Sequence, residues 1–93
     1  MNIGTCVVHL YLPNVNSLKQ KRQIVKSIKE KTRNKFNVSI AEIDNYNLWR
    51  KVTLGMVCIS NENSHAHSIL SQAINFLSSL PDVEILSTEI SCI

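Results

Sequence analysis

The chain has 93 residues, ten Lys and Arg against seven Asp and Glu, and an apolar share of 44%, which fits one domain over residues 1–93 with a core of its own and little to spare. No apolar run approaches the roughly 20 residues a bilayer-spanning helix needs, so no membrane role is expected. Gly4 and Gly55 are the only glycines, too few for a Gly-rich phosphate loop of either nucleotide-binding type.

The amino-terminal MNIGTCVV lacks a basic leader before its apolar residues and a glycine at position 2, so neither a signal peptide nor myristoylation is expected. Residues Ile3 to Leu12 are rich in β-branched and aromatic types and stop at Pro13, which cannot continue a strand ladder. In this first strand Cys6, Val8, Leu10 and Leu12 alternate with Thr5, Val7, His9 and Tyr11, and the apolar set should face the core.

Ser17 with Gln20 three residues on is a capping-box pattern and starts a first helix running to about Asn34. Ser17 to Lys35 holds eight of the ten basic residues and one acid, Glu30, a formal +7, while the rest of the chain sums to −4. At 100° per residue Leu18, Ile24, Val25, Ile28 and Thr32 fall in one arc that would face a core, and Lys21 lies within it. Lys19, Arg22, Lys26, Lys29 and Arg33 share a second arc about 80° wide. Such a row costs a few tenths of a kcal/mol per like-charged pair, a repulsion that an anionic partner would remove. A merely solvated face, phosphate binding and an acidic protein partner all fit it.

A second strand is expected from Phe36 to about Ile43, a turn over Asp44 to Leu48, and a third strand from Trp49 to Ser60. In the third, Val52, Leu54, Met56 and Cys58 point inward, with Lys51, Thr53, Gly55, Val57 and Ile59 on the other face. Gly55 should mark a bulge or a close backbone approach. A second helix capped by Asn63 or Ser64 buries Ala66, Ile69, Leu70, Ala73, Ile74, Leu77 and Leu80, and its outer face is uncharged. Pro81 ends it, and Val83 to Ile93 supplies the last strand.

This order, β-α-β-β-α-β, is the split arrangement of the ferredoxin-like α+β fold: a four-stranded antiparallel sheet, order 4-1-3-2, with two helices on one face. Val7, Val57 and Ile59 would then stand on the open face, where a homodimer would cover them. The loop after the first strand, the start of the first helix and the connection between strands two and three share one end of the sheet. There Lys19, Lys21 and Arg22 approach Glu42, Asp44, Trp49 and Arg50. The two carboxylates share a face if the second strand extends that far. They could hold a divalent cation or act as acid and base, or pair with Lys21, Arg22 or Arg50 to fix the turn. Trp49 could stack on a base or simply pack.

SLKQKRQIVKSI in the first helix, FNVSIAEID at the second strand and LWRKVTLG entering the third, at this length, resemble the YlxP-like proteins, a bacterial family of small uncharacterised domains. The resemblance implies a ferredoxin-like fold and a gene neighbourhood shared with transcription and translation factors. It implies no known activity and no catalytic residues. The loop and second helix, NENSHAHSILSQAINFLSSL, are more polar and less charged than that family leads one to expect.

Cys6, Cys58 and Cys92 lie in apolar runs without ligand spacing and read as small buried hydrophobes in a reducing cytoplasm. His65 and His67, two apart on a helix, point about 200° apart, and His9 has no local partner, so no metal site is expected. No nucleophile stands beside an evident base. Neither cofactor nor small-molecule substrate is indicated. The expectation is a non-enzymatic module that binds structured RNA or a ribosomal particle through Lys19, Lys21, Arg22, Lys26, Lys29 and Arg33. The alternative is a homodimeric interaction module with an acidic protein partner.

Overall fold

Strict alternation places β1 (Asn2–Tyr11) in the middle of the sheet in the computed structural model, which describes Met1–Ile93. Cys6, Val8 and Leu10 are buried on one side, and Thr5, Val7, His9 and Tyr11 are half-buried on the other. The chain continues through α1 (Leu18–Lys35), β2 (Ser39–Asp44), β3 (Lys51–Ser60), α2 (Asn63–Ser78) and β4 (Glu84–Cys92). The strands pair antiparallel in the order β2-β3-β1-β4, which is the expected 4-1-3-2 read from the opposite edge of a ferredoxin-like sheet.

One apolar cluster joins the even-numbered residues of β1 and β3 to Val25 and Ile28 of α1 and to Ala66, Leu70, Ala73 and Leu77 of α2. The second helix lies across β1, β3 and β4, while α1 sits over β2. Gly4 permits the close approach of α2: a Cβ there would stand 3.0 Å from Leu70 Cδ1 and 3.2 Å from both Ala66 Cβ and Cys58 Sγ.

Ser17 Oγ accepts from the Gln20 N–H at 3.1 Å, and Gln20 Oε1 accepts from the Asn16 N–H at 2.9 Å, a reciprocal box displaced by one residue. Other boundaries differ from expectation. The second strand begins at Ser39 rather than Phe36, because Phe36 is the C-cap of α1 and packs edge-on against Phe76 at 5.8 Å. The N-cap of α2 is Glu62, whose side chain makes no cap bond, rather than Asn63 or Ser64; its N–H donates to Ser60 Oγ at 3.2 Å.

Two irregularities decide which side chains reach which face. The β2–β3 register slips between Glu42 and Asp44, leaving Ile43 as an extra residue, and the β1–β4 register slips at Leu86. The close approach expected at Gly55 is made by Ile43, whose Cγ2 would lie 3.0 Å from a Cβ there.

Candidate functional site

The basic row of α1 divides into exposed and tethered cations. Lys19, Arg22 and Lys26 are exposed and Lys29 is half-buried. Arg33 is exposed but donates from Nη2 to the Ile40 carbonyl at 3.0 Å, which ties the carboxyl-terminal half of the helix to β2. Lys35, outside the row, lies over the Phe76 ring at 4.9 Å. From Lys19 to Arg33 the row runs about 21 Å along the helix axis.

Lys21 does not belong to that surface. It is 1% exposed, as its place in the core arc requires, and its Nζ lies 2.9 Å from Glu42 Oε2. It donates to the carbonyls of Asn45 and Tyr46 at 2.7 and 3.3 Å. The contact with Glu42 is ionic: Oε2 is buried and has no hydrogen-bond partner, while the Lys21 ammonium donates to the two carbonyls. This is the molecule's one ion pair, so none of the exposed cations of α1 has its charge neutralised by a carboxylate.

The two carboxylates expected at the end of the sheet part company. Glu42 pairs in register with Leu54, on the helix side, whereas Asp44 pairs with Thr53, on the open side, because Ile43 inserts between them. They share no face. Asp44 Oδ1 instead accepts the N–H of Asn45 at 2.7 Å, and Asn45 takes φ 60 to make the turn. From this turn Asn45 Nδ2 donates to Thr53 Oγ1 at 2.8 Å, and Thr53 Oγ1 lies 3.1 Å from His9 Nδ1. A polar chain thus runs from Lys21 through the turn to the open face.

Arg50 clamps the neighbouring loop: Nε donates to the Val15 carbonyl at 2.9 Å and Nη2 to Asn16 Oδ1 at 3.4 Å. Trp49 is only partly packed. It is 52% exposed and lines a shallow depression of about 600 Å3 with Tyr11, Leu48, Arg50, Lys51 and Leu86. Sequence reading missed this grouping. Leu86 reaches it through the β4 register slip, which alternation does not reveal, and the adjacent apolar pair Leu48-Trp49 in a turn was the available signal.

Further along the open face, Val57 and Ile59 are exposed and Val7 is half-buried. The pairs Thr5–Val57 and Ile3–Ile59 carry Ile3 onto the same apolar band, with Ile43 beside it over Gly55. Burial pushes the Cys6 thiol up to about 11 and raises that of Cys58 as well, so both are poor nucleophiles. No helix is long and apolar enough to cross a membrane.

Comparison with known proteins gives a family and stops short of an activity. A family model described as a protein of unknown function, DUF503, matches residues 3–90. The uncharacterized protein YlxP of Bacillus subtilis (strain 168) is 32% identical over 82 residues, covering 88% of this chain and 89% of that protein. The chain therefore belongs to the DUF503 family of YlxP-like proteins, whose function is unknown.

Proposed function

We propose that this protein is a non-enzymatic cytoplasmic module that docks on structured RNA or a ribosomal particle through the outer side of α1. Lys19, Arg22, Lys26, Lys29 and Arg33 contact phosphates. The observation that supports this most is the division of charge. One lysine of the helix is consumed by Glu42, and the outward cations are left without any carboxylate to satisfy them. A helix carrying unneutralised cations on one side suits a polyanion, from whose backbone those cations release condensed counterions, and it reads shape more than sequence. Sedimentation of tagged protein in a cell lysate tests this. Comigration with ribosomal particles that is lost at high salt is expected, and protein remaining at the top of the gradient at low salt would reject the reading.

A second reading rests on the apolar band of the open face, where Val57 and Ile59 are 42% and 62% exposed. Here the protein is a homodimer joined through Val7, Val57 and Ile59, presenting its basic helices to an acidic protein. Analytical ultracentrifugation of Val57→Asp decides it: conversion of a dimer to monomer supports the interface, and an unchanged species rejects it.

A further inference from the structure

We propose that the depression at the end of the open face holds an unpaired nucleobase of the same RNA that docks on α1, stacked against Trp49. Trp49, Leu48 and Leu86 are each at least half exposed, and together with Tyr11 they make the apolar lining of the depression, against which a flat ring would stack. Large apolar side chains gathered in a concavity and left in water mark a binding place rather than packing.

Charge selects the occupant. Arg50 and Lys51 line the same depression, and neither has a carboxylate at ion-pair distance. Register sets the order across the face as Lys51, Tyr11, Glu84. The cations thus lie on the β3 side of the aromatic floor and the acid on the β4 side. A nucleotide meets this arrangement with its base on Trp49 and Tyr11 and its phosphate toward Arg50 and Lys51. An apolar peptide would leave the Lys51 ammonium, and the guanidinium hydrogens that Arg50 does not give to Val15 and Asn16, unused.

The position is also continuous with the basic helix. Arg50 holds the backbone of Val15 and the side chain of Asn16, immediately before the cap of α1, so the depression adjoins the end of the helix that bears Lys19 and Arg22. A strand leaving a duplex bound along α1 at that end would have to turn around the end of the sheet to enter the depression. Base stacking of this type tolerates sequence, because every base has a π-face.

The inference rests on the RNA reading of α1, and the experiment separates the two. Fluorescence anisotropy compares a labelled blunt RNA hairpin with the same hairpin carrying an unpaired adenosine tail. The expected result is tighter binding of the tailed RNA, with the gain of about tenfold lost in Trp49→Ala and in Leu86→Glu. Both variants should still bind the blunt hairpin as the wild type does, which also reports that they fold. Trp49 is the chain's single tryptophan, so its emission should be quenched by the tailed RNA alone. Equal affinity for the two RNAs, or Trp49 emission unmoved at saturation, would overturn the nucleobase site while sparing the helix and leave the depression to a peptide. Failure of the wild type to bind either RNA would overturn both.

Discussion

Lys21 Nζ lies 2.9 Å from Glu42 Oε2, with the lysine 1% exposed and the glutamate side chain 17% exposed. This pair joins the first turn of α1 to the end of β2, and the two carbonyls that accept from Nζ extend the connection into the turn that precedes Trp49. The same helix therefore has one lysine paired inside the fold and several exposed cations without a carboxylate partner.

Removing one partner of such a pair strands the other charge. Lys21→Met should cost about 3–5 kcal/mol of stability. The double variant Lys21→Met with Glu42→Leu should regain most of that, since no unpaired carboxylate remains. Urea denaturation of the two single variants and the double variant provides the measurement. A Lys21→Met protein as stable as the wild type would show that the pair holds nothing.

The two glycines should respond differently to a side chain. A Cβ on Gly4 meets Leu70, Ala66 and Cys58 together, inside the packed contact of α2 with the sheet. Gly4→Val should therefore lose about 1–3 kcal/mol through overpacking. At Gly55 the near atoms belong to one exposed side chain, Ile43, which can swing into solvent. Gly55→Ala should lie within about 1 kcal/mol of the wild type, helped by the lower entropy of the unfolded chain. Thermal melts of both variants check the contrast.

Thiol chemistry reports on the core. Cys6 and Cys58 are buried and Cys92 is half-buried. A thiol reagent at neutral pH should modify Cys92 in the native protein and reach the other two only on unfolding. Linkage has a definite sign here. The folded state holds the Cys6 proton up to about 11 against an ordinary 9.0. The stability this contributes is complete below pH 9 and should be lost progressively as pH rises toward 11. Denaturation at pH 8, 9 and 10 tests it.

Much of this was legible from periodicity. The period-2 runs around Val8 and Leu54 declare one wet and one dry face, and the order of elements then leaves few topologies. The depth of Lys21 was legible too, from its phase among Val25 and Ile28. Its pairing with a carboxylate at this end of the sheet was among the expectations; which of Glu42 and Asp44 it takes was not legible, because their relative faces depend on where a bulge falls, and Ile43 carries no local mark of one. Leu86 was hidden for the same reason. Phe36 looked like a strand residue by type, yet its N–H closes the last turn of α1 on the Thr32 carbonyl. Bulges and caps are settled by tertiary packing, so alternation alone misplaces them.

The central claim is that the outer side of α1 binds RNA phosphates, and a salt titration of hairpin RNA binding tests it most directly. Arg22→Glu with Lys26→Glu is the informative variant, since both residues are exposed and neither pairs with a carboxylate. Wild-type affinity should fall about 150- to 500-fold between roughly 50 and 200 mM salt, as four or five phosphate contacts require. The variant should lose detectable binding, or keep a residue whose salt slope is flatter by about two, with its melting temperature unchanged. Wild-type binding that ignores salt, or a variant that binds as tightly as the wild type, would contradict the claim and leave the row a solvated face.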